Sequence, residues 1–231
     1  MSKQFWGVII VIILIFVGVF ALTGKKSTGG NSSGGSSTLT QHVEGQGKSG
    51  VTLVEYGDYE CPYCGQYAPI VKQVQQEFNQ QIYFQFRNFP LVSIHQNAFA
   101  GARAAEAAAL QNKFWEMHDL LYANQDQWSQ SNDPTTFFNQ YAQQLGLNVT
   151  QFKQDYSSDK VNSLINADMG EGNKLGITGT PTFYLDGKQI QVGQSVQAFE
   201  QVINAEIAKK APKASTNSTT TTTTPATSTG N

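Results

Sequence analysis

Cysteine is scarce in this chain of 231 residues: there are two, Cys61 and Cys64. A loop that short removes little chain entropy when it is closed, so a structural disulfide there would be a poor staple. Metal-ligand spacing is also missing. A zinc site on the two cysteines needs two more ligands, and His42, His95 and His118 stand apart from one another. Charge is sparse, with Asp, Glu, Lys and Arg at 14% against a usual quarter. Basic residues are fewest where the chain reads as folded: residues 51–208 carry 8 basic against 16 acidic side chains. That balance leaves no basic footprint for nucleic acid. The flanks are positive, +3 over residues 1–50 and +3 from Lys209 onward, within a formal net charge of −2. Two or three lysines near an end are compatible with an anionic membrane surface but do not require one.

What is present is organised around Glu55-Tyr56-Gly57-Asp58-Tyr59-Glu60-Cys61-Pro62-Tyr63-Cys64. A short β-branched run, Val51 to Val54, precedes it. A helical pattern follows, with Tyr67, Ile70, Val71, Val74 and Phe78 on one face. The cysteines therefore fall where a strand ends and a helix begins. Unpaired amides and the positive dipole end at a helix start favour a thiolate, so Cys61 is expected to be acidic and reactive. Pro62 suits the first turn, and Cys64 lies one turn inside, within reach of a mixed disulfide on Cys61. Redox chemistry outweighs the three alternatives: a structural disulfide, half a zinc site, and inert thiols.

Taken in order, Phe5–Leu22 is an uninterrupted apolar run whose 18 residues make about 27 Å of helix, enough to cross a bilayer core. The expectation is a single N-terminal transmembrane anchor over 1–22. A signal sequence cleaved after Ala21 is its rival. Large domains cross regardless of flanking charge, so a stable oxidising dithiol site argues for an extracytoplasmic domain. Residues 23–50, rich in Gly and Ser, read as a flexible linker of roughly 30 Å reach. The folded part is expected over 51–208: strand 51–56, helix 62–79, then strand 82–89 stopped by Pro90. Residues 91–176 read as a helical stretch. Within it Asp133-Pro134, Thr150 and Asp159 open helices, and His95 and His118 take structural roles. Pro181 opens a short strand, Asp186-Gly187 makes a tight turn, Lys188–Val192 returns, and Ser195 starts a last helix. The Thr/Ser-rich tail over 209–231 is expected to be disordered.

This order of elements resembles the thioredoxin fold with the inserted helical domain of DsbA-type thiol–disulfide oxidoreductases, in their membrane-tethered or exported bacterial branch. The resemblance covers about residues 50–208. Glu55–Gly65 looks like that branch's active-site segment. Asn88-Phe89-Pro90-Leu91 and Lys113–Asp119 resemble its second strand end and its insert, and Gly179-Thr180-Pro181-Thr182 resembles its cis-proline loop. The implied fold class is α/β, thioredoxin-like, with an all-helical insert.

The resemblance implies a redox-active Cys61–Cys64 disulfide, with no other cofactor and no metal. Cys61 matches the nucleophile and Cys64 the resolving cysteine, around the dipeptide Pro62-Tyr63. Thr180 and Pro181 match the substrate groove. Glu55 matches a buried acid thought to move protons, though from the residues alone it could equally face solvent. The implied reaction puts disulfides into exported proteins with free thiols, with a quinone-linked membrane reoxidant as partner. One departure is Tyr63, which stands where the founding oxidase has histidine and offers no cation to the thiolate. A milder oxidant is expected. The alternatives are an isomerase or reductase on the same scaffold, and a peptide-binding chaperone-like module.

Overall fold

A computed structural model describes residues 38–211. The expected anchor over 1–22, most of the expected linker, and the tail beyond residue 211 lie outside the described residues. Among the described residues no helix is long and apolar enough to cross a membrane.

The strands are β1 (His42–Glu44), β2 (Val51–Gly57), β3 (Ile82–Asn88), β4 (Thr182–Leu185) and β5 (Lys188–Ile190), in one sheet of order β1-β3-β2-β4-β5. β2 and β3 run parallel, from Val51 opposite Ile82 to Gly57 opposite Asn88. The other pairings are antiparallel. Helix α1 (Pro62–Glu77) joins β2 to β3. Between β3 and β4 stand α2 (Ala98–Ala109), α3 (Phe114–Ala123), α4 (Gln125–Trp128), α5 (Thr135–Gln144), α6 (Val149–Tyr156) and α7 (Asp159–Lys174). α8 (Val196–Lys210) closes the described chain. The resemblance implied this thioredoxin-like core with a helical insert.

One face of the sheet presents Val51, Leu53, Phe84 and Phe86 to Val71 and Val74 of α1, Met117 and Leu121 of α3, and Phe199 and Ile203 of α8. Burying each such side chain contributes roughly 1.5–3 kcal/mol. The other face carries a smaller cluster of Tyr56, Phe89, Ile177 and Tyr184.

The main correction concerns where folded chain begins. β1 lies inside the expected linker and pairs with β3, His42 opposite Phe86. Ahead of it, Thr40 is buried and donates from its amide and hydroxyl to Asp168 at 3.1 and 2.6 Å. A three-residue strand is too short to show a period, and the partner that buries Thr40 is 128 residues away in sequence.

The helix starts differ in detail. Asn148, not Thr150, caps α6 by accepting from the Gln151 amide. Ser158, not Asp159, caps α7 by accepting from Val161. Ser195 caps α8 as expected, and α8 runs to Lys210 instead of ending at 208. Residues 91–97, expected to be helical, form a turning loop held to the chain ahead of Cys61.

Candidate active site

Cys61 is the N-cap residue of α1. Its backbone is extended and Pro62 takes the first helical position. The helix start therefore leaves amides near the Cys61 sulfur without drawing on a capping side chain. The two cysteines are free thiols here, the reduced form of the site. Cys61 is nearly buried, and Tyr63, next to it, is 66% exposed.

The two sulfurs differ sharply. A hydrogen bond from the Cys64 thiol, with further bonds from Thr180 and from the Cys64 and Tyr63 amides, outweighs burial and holds Cys61 down at about 5. Cys64 is fully buried, and that burial, with its bond to Cys61 and the nearby Glu55, pushes its thiol well above the ordinary range. Cys61 is thus a thiolate at neutral pH while Cys64 keeps its proton. The Asp58 amide points at the Cys64 sulfur, 3.5 Å away.

Thr180 and Pro181, which the resemblance matched to a substrate groove, lie beside Cys61. The Thr180–Pro181 bond is cis, and the Thr180 carbonyl lies 3.4 Å from the Cys61 sulfur, accepting from it only when the thiol is protonated. A shallow groove of about 140 Å³ runs alongside, walled by Tyr63, Thr180, Pro181, Gln189, Ile190 and Val192.

Glu55, left open between buried and exposed readings, is buried on the core face of β2. Burial, with Cys61 nearby, raises its carboxyl to about 8, so it is mostly protonated at neutral pH. His118 is buried and held neutral, its value lowered to about 3, and its Nδ1 shares a 3.0 Å hydrogen bond with the Tyr59 hydroxyl. His95 bonds Asp58 at 2.7 Å. Both histidines are held by a neighbouring side chain. No group of His, Cys, Asp and Glu suited to a metal ion occurs among the described residues.

Two supporting residues escaped the sequence reading. Asp58 accepts from the Glu60 and Leu91 amides at 2.8 and 2.9 Å, tying the loop ahead of Cys61 to the 91–97 turn. Gln125 of α4 donates from Nε2 to the Tyr59 and Cys61 carbonyls at 2.7 and 2.9 Å. Asp58 lies within the active-site segment and was within reach of sequence reasoning. Gln125 is one glutamine among many.

The chain matches the family described as Thioredoxin over residues 37–205. Among curated proteins it is 34% identical over 167 residues to Na(+)/H(+) antiporter NhaA 3 of Salinispora tropica, covering 72% of this chain and 25% of that protein. To Na(+)/H(+) antiporter NhaA 1 of Mycolicibacterium gilvum it is 38% identical over 152 residues, covering 64% and 24%. The chain spans about a quarter of the length of the curated relatives it matches. Among solved structures it resembles a thioredoxin-like oxidoreductase from Silicibacter pomeroyi (TM-score 0.60, 26% identity, covering 74% of this chain and 92% of that one). Oxidised BdbD from Bacillus subtilis aligns with TM-score 0.65 at 24% identity, covering 73% and 93%, a likeness of fold. So does alpha-DsbA1 from Wolbachia pipientis, at TM-score 0.64 and 21% identity, covering 74% and 94%.

Proposed function

The chain belongs to the thioredoxin family, and from that premise we propose that it is a DsbA-like thiol–disulfide oxidoreductase that introduces disulfides into exported proteins. The observation that carries this reading is the contrast between an ionised Cys61 and a protonated Cys64 beside a groove. A thiol of low pKa is the better leaving group, so the reduced form is favoured and the disulfide form is oxidising.

In the reaction, a substrate thiolate attacks the Cys61 sulfur of the Cys61–Cys64 disulfide. The S–S bond breaks and Cys64 leaves as a thiolate, which takes the proton of the Glu55 carboxyl. A second substrate thiolate then attacks the substrate sulfur of the mixed disulfide and releases Cys61 as a stable thiolate. Two substrate thiols have become a disulfide, and two electrons rest on the Cys61/Cys64 dithiol. A membrane reoxidant coupled to quinone takes them up. The Thr180-Pro181 edge of the groove holds the substrate as an extended segment. The domain works outside the cytoplasmic membrane, tethered through the apolar 1–22 segment. The ion transport in the names of the curated relatives is not carried over, because the chain covers about a quarter of them.

The test is the reduction potential in glutathione buffers. A value of about −120 to −180 mV supports the oxidase. A value near −250 mV or lower overturns the direction and makes the protein a reductant. That second reading, a reductase or isomerase, has one observation in its favour: Tyr63 is exposed and supplies no cation to the thiolate.

A further inference from the structure

Asp58 follows the last residue of β2 and is buried. Its amide points at the Cys64 sulfur from 3.5 Å, and its carbonyl accepts from the Cys61 amide at 3.1 Å. One oxygen of its carboxylate accepts from His95 Nδ1 at 2.7 Å and from the Leu91 amide at 2.9 Å. We propose that His95 is a positioning residue for the redox step: by holding the Asp58 carboxylate it keeps the Asp58 amide aimed at Cys64, where charge develops as the Cys61–Cys64 disulfide opens. The proposal deepens the thiol–disulfide reading above and rests on it.

When a thiolate attacks the Cys61 sulfur, a new S–S bond forms there, the Cys61–Cys64 bond breaks, and its electron pair goes to Cys64. A donor fixed in advance where that charge appears lowers the barrier, because nothing has to be reorganised at the moment of reaction. Burial, the bond to Cys61 and the nearby Glu55 all disfavour an anion on Cys64, whereas the Asp58 amide favours it. That amide is fixed only as firmly as Asp58 itself. A carboxylate only accepts, so His95 Nδ1 carries the hydrogen whether the ring is neutral or charged. The bond is shielded: the His95 side chain is 16% exposed and that of Asp58 is 0% exposed. The ring also sits on an anchored loop. The His95 amide donates to the Leu91 carbonyl at 3.0 Å. Two residues on, the Asn97 amide donates to the Glu60 carboxylate, and Asn97 Nδ2 donates to the Ser129 and Ser131 carbonyls at 2.8 and 2.9 Å. A group whose own support is locked in this way can hold a reacting neighbour to the tolerance that catalysis needs.

The full-length protein allows the step to be read in both directions. Reduced glutathione attacks the oxidised form, and Cys64 expels glutathione from the Cys61 adduct made with oxidised glutathione. Both pass through one transition state, so His95→Leu should slow both by about tenfold while their equilibrium shifts by less than about threefold. The Cys61 thiolate absorbance should titrate as before. His95→Asn, whose Nδ2 can donate where Nδ1 did, should recover most of the lost rate. Asp58→Asn removes an acceptor oxygen, should slow both directions likewise, and serves if His95→Leu does not fold. Wild-type rates in the folded variants overturn the proposal. So does slowing that His95→Asn fails to relieve, or that comes with a shifted Cys61 titration, as a general disturbance of the loop would give. Hydrogen–deuterium exchange of the Asp58 amide should be about tenfold faster in His95→Leu, which reads the placement without any turnover. A wild-type protein that shows no thiol exchange overturns the oxidoreductase reading instead, and the amide exchange still decides whether His95 holds Asp58.

Discussion

At the scale of single residues, chemistry is divided between neighbours by burial and hydrogen bonding. Cys61 and Cys64 are the same side chain three positions apart, yet one is held at about 5 and the other is pushed well above the ordinary range. Iodoacetamide should therefore modify Cys61 alone, with a rate that rises through pH 5 and levels well below the ordinary 9. Peptide mapping with a pH series checks this. Because the Cys61 value is depressed on folding, the stability it lends the reduced protein is complete above its unfolded value of about 9 and is lost as pH falls through 5.

Glu55 works in the opposite sense. Its value is raised from 4.5 to about 8, so its contribution is complete below 4.5 and is lost as pH rises through 8. Glu55→Gln should become progressively more stable than the reduced wild type across that window, by on the order of a few kcal/mol in urea unfolding. A constant difference across the window would show that Glu55 does not titrate there. Placing Glu55 from sequence alone failed for a physical reason. It shares the period-two face of Val51 and Leu53, but Val54 and Tyr56 make the opposite face apolar too, so alternation cannot choose the core side.

At the scale of elements, strong periodic signals were legible and short or shared ones were not. The Cys-x-x-Cys helix, the two parallel strands, the Asp186-Gly187 turn and the Ser195 cap stand as the pattern predicted. The caps of α6 and α7 were each misplaced by one or two residues, because Asn148 and Ser158 cap as well as the Thr150 and Asp159 beside them. α4 has four residues, too few for any period, yet it delivers Gln125 to the active-site loop. A Cβ on Gly65 would stand 2.6 Å from the Gln125 Oε1, so the helix start and α4 are fitted to each other. Gln125→Ala should cost about 1–2 kcal/mol through its two lost bonds to carbonyls. Gly65→Ala should be destabilising alone and nearly neutral in the Gln125→Ala background. A double-mutant cycle in urea would reveal the coupling, and strict additivity would show that the two do not bear on each other.

At the scale of the whole molecule, the sheet and the insert are locked together by buried polar groups far from the redox centre. Asp168 of α7 accepts from the Thr40 amide and hydroxyl, the Asn88 amide and Arg87 Nη1, and Arg87 also donates to the Thr40 carbonyl at 2.6 Å. Nearby, Glu106 of α2 bonds His42 at 2.7 Å and accepts from Asn88 Nδ2 at 2.6 Å. Each carboxylate, itself on the insert, gathers partners from the segment before β2 and from β3, so the stretch around β1 is a clasp on the fold. A protein lacking residues 1–50 would leave Asp168 and Glu106 buried with fewer partners and the edge of β3 unpaired. Relative to one lacking only residues 1–37, it should lose roughly 2–4 kcal/mol of stability. The Cys61 thiolate should titrate at the same pH in both, because none of the groups that depress it lies before residue 61. Equal unfolding midpoints would mean that the clasp contributes nothing. A shifted Cys61 titration would mean that the segment before β2 reaches the active site through the sheet. The expected result separates the two layers of the molecule: a polar lock that sets how firmly insert and sheet are joined, and a local sulfur environment that sets the chemistry.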